Sequence, residues 1–87
     1  MKKVLMFTMA SCPHCQRALQ WMSELCAENP AYLAIPVEFI DEVINPELAN
    51  QYDYYYVPTY YVNGEQVHEG VATREIIGSV YKKALER

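Results

Sequence analysis

The spacing of apolar positions switches between two periods along the chain, and each switch marks an element. Lys3 to Thr8 is a short, apolar, partly β-branched run, the pattern of a central strand buried on both faces. It predicts a first strand, β1. From Pro13 onward the period lengthens. With Cys15 at zero and ~100° per residue, Ala18, Leu19, Met22, Leu25 and Cys26 share one side of a helix. Gln16, Arg17, Gln20, Ser23 and Glu24 fill the opposite arc, with Trp21 at its edge. This helix, α1, is expected to end near Asn29-Pro30, because proline cannot continue it.

After a loop through Ala31 to Pro36, the apolar positions of Val37 to Asp41 predict β2. A β1-α1-β2 order implies a right-handed crossover and parallel strands. Asn45-Pro46 has the chemistry of a helix start, Asn as N-cap and Pro at the first helical position, and predicts α2 running to about Tyr52. Thr59 to Val62 and Gln66 to Glu69 flank Asn63-Gly64, residues that tolerate the positive φ angles of a tight hairpin turn, and so read as β3 and β4. Thr73 caps a last helix, α3, whose apolar positions Ile76, Ile77, Val80, Tyr81, Ala84 and Leu85 keep a helical spacing. The fold class is α/β, in the order β1-α1-β2-α2-β3-β4-α3.

The size of the chain limits what this order can build. With 87 residues, 52% of them hydrophobic and 21% charged, the expectation is a single domain over residues 1–87 with a core that folds without metal or disulfide staples. Seven basic residues against eleven acidic give a net charge of -4, opposite to the footprint of a nucleic-acid binder. No apolar run approaches the ~20 residues of a membrane span. Lys2 and Lys3 before Val4 to Ala10 imitate a signal peptide, but the apolar stretch is at the lower limit of length, and it is assigned instead to β1.

Three cysteines are an odd number for a disulfide scaffold and suit a reducing, cytoplasmic compartment. Two of them, in Cys12-Pro13-His14-Cys15, lie where β1 meets α1, and a C-x-x-C pair in a βαβ context points to redox chemistry. Cys12 opens the helix, where free N–H groups and the positive end of the dipole favour an anion, and Pro13 occupies a first-turn position without loss. Cys12 is therefore the expected thiolate. His14 is a candidate donor that stabilises it further. Cys15, one turn on and in the apolar stripe, is the expected resolving thiol. Cys26 reads as a small buried hydrophobe and His68 as a solvated or hydrogen-bonded structural residue. Among the tyrosines, Tyr60 and Tyr61 must face opposite sides of their strand, so at most one of them lines a groove beside the motif.

These residues resemble the thioredoxin fold in its minimal, glutaredoxin-like form, with a four-stranded mixed sheet and helices on both faces. The resemblance covers nearly the whole chain and rests on Cys12-Pro13-His14-Cys15, Val57-Pro58-Thr59 and Asn63-Gly64. It implies that Pro58 is cis and faces the motif, and that the backbone of Val57 pairs with a bound disulfide substrate, giving Val57, Pro58 and Thr59 as the substrate-binding segment. The Pro-His pair is similar to that of periplasmic disulfide-forming oxidases. Met9 stands where glutaredoxins carry a basic residue, and where they carry a paired glycine and a nearby acid Gly70 is followed by Val71 and Ala72, with Thr73 in the place of the acid. Glutathione is thus a possible reductant but not one the sequence specifies. Met6 and Ser11 replace the buried Asp and the Trp of larger thioredoxins.

The function implied is a thiol-disulfide oxidoreductase working through a Cys12-Cys15 dithiol/disulfide couple and a mixed disulfide, with no cofactor and no resident metal. Its expected partners are protein or small-molecule disulfides and a thiol or reductase as electron donor. It is expected to act as a monomer, without nucleic acid or membrane. The alternatives are a glutathione-linked glutaredoxin and, in different classes, a C-x-x-C metal-handling or iron-sulfur module and an interaction module with vestigial cysteines.

Overall fold

The computed structural model describes residues 1–86. β1 (Val4–Thr8) is followed by α1 (Pro13–Glu28), β2 (Val37–Asp41), α2 (Pro46–Ala49), β3 (Thr59–Val62), β4 (Glu65–Glu69) and α3 (Arg74–Leu85). The strands form one mixed sheet in the order β2-β1-β3-β4. β1 pairs parallel with β2 and antiparallel with β3, which pairs antiparallel with β4. The α/β order and the mixed sheet are those expected from the sequence.

Side-chain alternation along β1 divides the core in two. Val4 and Met6 point to the face covered by α1 and α3, where they pack with Ala18, Met22, Tyr60, Ile77 and Val80. Phe7 points to the other face, under α2, and packs with Ile40, Ala49 and Tyr61. Tyr60 and Tyr61 fall on opposite faces as the pleat requires.

The turn signals hold where the local chemistry is strong. Asn63 and Gly64 have φ of 52° and 82°, and the Thr73 hydroxyl accepts from the Ile76 N–H at 3.1 Å. Elsewhere tertiary contacts win. The expected loop after α1 contains a 3₁₀ turn over Pro30–Ala34, started by the Asn29 side chain accepting from the Ala31 N–H and closed by Tyr32 stacking on Tyr81 at 4.7 Å. α2 stops at Ala49 rather than near Tyr52, and Asn45 makes no capping bond with its side chain. Beyond Ala49, Tyr52 and Tyr54 turn in against Phe7, with ring centroids 4.9 and 4.7 Å away. The buried face of α1 is also rotated from the predicted stripe toward Ala18, leaving Leu19 at 38% exposure. β4 carries one extra residue, Val67, between the pairs Tyr61–Gln66 and Tyr60–His68, and so bulges just before His68 and Glu69.

Pairing registers place Thr8, Asp41, Thr59 and Glu69 at the same end of the sheet. The segments that follow or precede them, around Cys12, Val43, Val57 and Val71, gather there as one set of loops.

Candidate active site

At that end the backbone leaves β1, turns through Met9 to Ser11, and enters α1 with Cys12 as N-cap residue and Pro13 in the first turn. The turn is held tightly. The Cys12 N–H donates to the Met9 carbonyl at 3.0 Å, and the Gln16 side-chain amide donates to the Ala10 carbonyl at 2.8 Å. Asp41, at the end of β2, accepts from the Ala10 N–H at 3.2 Å and from the Val43 and Ile44 N–H groups at 2.8 and 3.2 Å. One carboxylate therefore ties the cysteine loop to its neighbour. The Cys12 side chain makes no capping bond, so its sulfur stands beside the positive end of the helix without being tied to the first-turn N–H groups.

The two thiols of the motif are free and differ in setting. Cys12 keeps 8% of its surface exposed, and its Sγ lies 3.9 Å from the Val57 carbonyl oxygen, toward which its thiol is directed. Cys15 is wholly buried, against Cys12 and the Thr8 hydroxyl. Burial pushes the Cys15 thiol up from its ordinary range, the neighbouring Cys12 adds to the effect, and the Thr8 hydroxyl partly opposes it. Cys15 is held in its protonated form until something else changes.

The structure brings together Cys12, Cys15, Pro13, Val57, Pro58 and Thr59. The Val57-Pro58 bond is cis, as the resemblance implied. Thr59 is buried, and its hydroxyl donates to the Tyr56 carbonyl at 2.5 Å. His14 does not join them by contact: its side chain is exposed and makes no hydrogen bond among the described residues. His68 donates through Nε2 to the Gly70 and Val71 carbonyls, at 3.2 and 2.9 Å, the hydrogen-bonded structural role expected of it. Cys26 is half-buried rather than buried, and its thiol donates to the Tyr81 hydroxyl at 3.5 Å.

The tyrosines divide. Tyr52, Tyr54 and Tyr61 surround Phe7, and Tyr60 is buried on the other face with its hydroxyl 3.4 Å from Met22 Sδ. Tyr55 and Tyr56 alone stand out from the loop that leads to Val57. Asp41, Glu69 and Thr8 are the site-building residues that sequence reasoning did not single out. A local signal existed for Asp41, since an Asp at a strand end commonly accepts from the backbone N–H two residues on. Among the described residues no group of three or more His, Cys, Asp or Glu side chains is placed to hold a metal ion, and no helix is long and apolar enough to cross a membrane.

Two neighbouring thiols at the start of a helix, one sealed and one nearly so, the latter facing a proline-containing loop, define a dithiol-disulfide centre on a βαβ scaffold. Residues 2–82 match the thioredoxin domain family. The chain is 36% identical over 83 residues to a thioredoxin of Methanocaldococcus jannaschii, covering 95% of each chain. Its fold is similar to that of a mutant thioredoxin from Halobacterium salinarum, with a TM-score of 0.71 at 24% identity over 99% of this chain and 76% of the other. The oxidised thioredoxin of Plasmodium falciparum superimposes with a TM-score of 0.72 at 19% identity, over 98% of this chain and 82% of the other. The chain belongs to the thioredoxin family and is a thiol-disulfide oxidoreductase.

Proposed function

We propose that Cys12 is the attacking thiol and Cys15 the resolving one, in a single-domain monomer that reduces or exchanges protein or small-molecule disulfides in the cytoplasm. Deprotonated Cys12 attacks one sulfur of the substrate, forming a mixed disulfide and releasing the other sulfur as a thiolate that takes up a proton. Cys15 then gives up its proton and attacks Cys12, releasing the second substrate sulfur. Two electrons pass to the substrate, and the protein is left with a Cys12-Cys15 disulfide. An external thiol or a reductase returns it to the dithiol. No cofactor takes part, and glutathione, if it is the donor, meets Met9 and Val71 rather than charged contacts.

The observation that carries this assignment is the asymmetry of the pair: Cys12, at the helix start beside the Val57 carbonyl, keeps a small residual exposure, while Cys15 is sealed and held protonated. The Val57 backbone beside Cys12 and the proline that follows it supply the substrate-pairing segment, with the Thr59 hydroxyl holding the Tyr56 carbonyl just before it. Trapping tests the order of attack. Cys15→Ser, pre-reduced and freed of reductant, should accumulate a mixed disulfide with a protein substrate such as native, disulfide-bonded insulin, seen as a higher-mass band that disappears on adding reductant. Cys12→Ser should form none. A Cys12→Ser protein that trapped substrate as well as its counterpart would reverse the roles.

A further inference from the structure

The stretch that presents Val57 to Cys12 is anchored by Tyr54 and Val57, which pack against the Phe7 cluster, and by buried Pro58, but not at the two residues between Tyr54 and Val57. Tyr55 is 91% exposed and Tyr56 71%, so neither side chain holds the loop down. Polar ties do this instead, and the most extensive comes from Glu69, the last residue of β4. Its Oε2 accepts from both the Tyr55 N–H, at 2.5 Å, and the Tyr56 N–H, at 3.0 Å. The Thr59 hydroxyl holds the Tyr56 carbonyl, and the Gly70 N–H holds the Pro58 carbonyl at 2.9 Å. Backbone groups at exposed positions can be satisfied by water at little net cost, so the carboxylate is not needed for satisfaction. What it contributes is position.

We infer that Glu69 is a positioning residue for substrate capture, acting through the Tyr55–Val57 backbone rather than by contact with the reacting sulfurs. The inference rests on the oxidoreductase reading of the Cys12 site and adds to it the group that presets the loop. Two bonds from one ionised oxygen are charge-assisted and stronger than their neutral counterparts. They fix the two residues before Val57, whose carbonyl lies 3.9 Å from Cys12 Sγ. A loop ordered in advance spares the complex the entropy of ordering it on binding. The bulge at Val67 lies two residues before Glu69, at the place where such irregularities re-aim side chains next to functional sites.

The role predicts a particular kinetic pattern in insulin reduction with a small dithiol donor. Glu69→Ala should raise KM for insulin about 5-fold, the worth of a net hydrogen bond, with kcat within about 2-fold. Glu69→Gln, whose amide oxygen can accept both N–H groups, should recover most of the loss. Amide hydrogen exchange supplies an independent readout: Tyr55 and Tyr56 should be protected in the wild type and exchange faster in Glu69→Ala. An unchanged KM in Glu69→Ala, a Gln variant no better than Ala, or wild-type Tyr55 and Tyr56 amides exchanging like free ones would each overturn the role. A wild type that fails to reduce insulin at all would instead count against the oxidoreductase reading, and the exchange comparison would still decide the Glu69 tie.

Discussion

Helix α1 carries three thiols in two contrasting settings. At its start, the N-cap residue Cys12 and the first-turn Cys15 sit among loops pinned by Asp41, Glu69 and Thr59, and Cys12 faces the Val57 carbonyl. In its last turns, Cys26 lies in an apolar groove with Leu19, Met22, Leu33, Phe39 and Tyr81 and donates to one hydroxyl. The helix dipole favours negative charge at the first site and opposes it at the second. No neighbouring disulfide-forming partner accompanies Cys26 among the described residues. Reactivity in this molecule is thus set by where along the helix a cysteine stands and what faces it, not by the presence of a thiol.

The largest expected effect separates these two sites directly. Cys12→Ser should lower insulin reduction by at least ~100-fold, since the neighbouring thiol, Cys15, is wholly buried, whereas Cys26→Ser should keep activity within about 2-fold. Iodoacetamide should correspondingly label Cys12 first in the reduced wild type. Comparable losses in the two variants, or first labelling at Cys26, would break the contrast.

A smaller effect concerns stability. Burial raises the Cys15 thiol in the folded state, so its protonated form is what the fold favours. That contribution is fully present below the unfolded thiol's value of about 8.5 and is lost as pH rises through the folded value. In urea titrations, the reduced wild type should therefore lose stability between about pH 8 and 10 more steeply than Cys15→Ala. Buried Tyr60 and Tyr81 are also raised, with the same sign; Tyr81 is common to both proteins and cancels, while Tyr60 owes its rise first to its own burial and in lesser part to Cys15, a difference that acts in the same direction. Equal slopes would remove the idea that burial distinguishes Cys15.

The smallest effect belongs to His14. With its ring exposed and unbonded, it can act on Cys12 only through space, an influence worth roughly half a kcal/mol, or about 10 mV for a two-electron couple. His14→Ala should lower the reduction potential by about that amount. A potential that stayed put or rose would uncouple His14 from the thiolate.

How far these features could be read in advance depends on how local their causes are. The strands, the Thr73 cap, the Asn63-Gly64 turn and the placing of Cys12 and Cys15 at the start of α1 follow from neighbours within a turn or two, and all were legible. The end of α2 was not, because Tyr52 and Tyr54 leave the helix to meet Phe7 on a strand far away in the chain. The exposure of Leu19 was not legible either, because helical spacing defines a stripe but not which edge of it the sheet covers. Glu69 and the long-range tie of Asp41 lay beyond reach for the same reason: their partners are 14 and 13 residues away at Tyr55 and Tyr56 and 31 away at Ala10, and no periodic pattern links such positions; only Asp41's bonds to Val43 and Ile44 had a local signal.

The insertion of β3 beside β1 also has a temporal meaning. Synthesis runs from the N-terminus, so the stretch holding both motif cysteines emerges before the segment that will face them, and Phe7 can meet Thr59 only after the intervening half of the chain is made. Non-local pairings of this kind form late, because a long loop must close first. Until then the helix start has no opposing carbonyl and Cys15 has no lid. The rate at which Cys15 becomes inaccessible to a thiol reagent during refolding is therefore a clock for the arrival of β3 rather than for collapse of the chain as a whole.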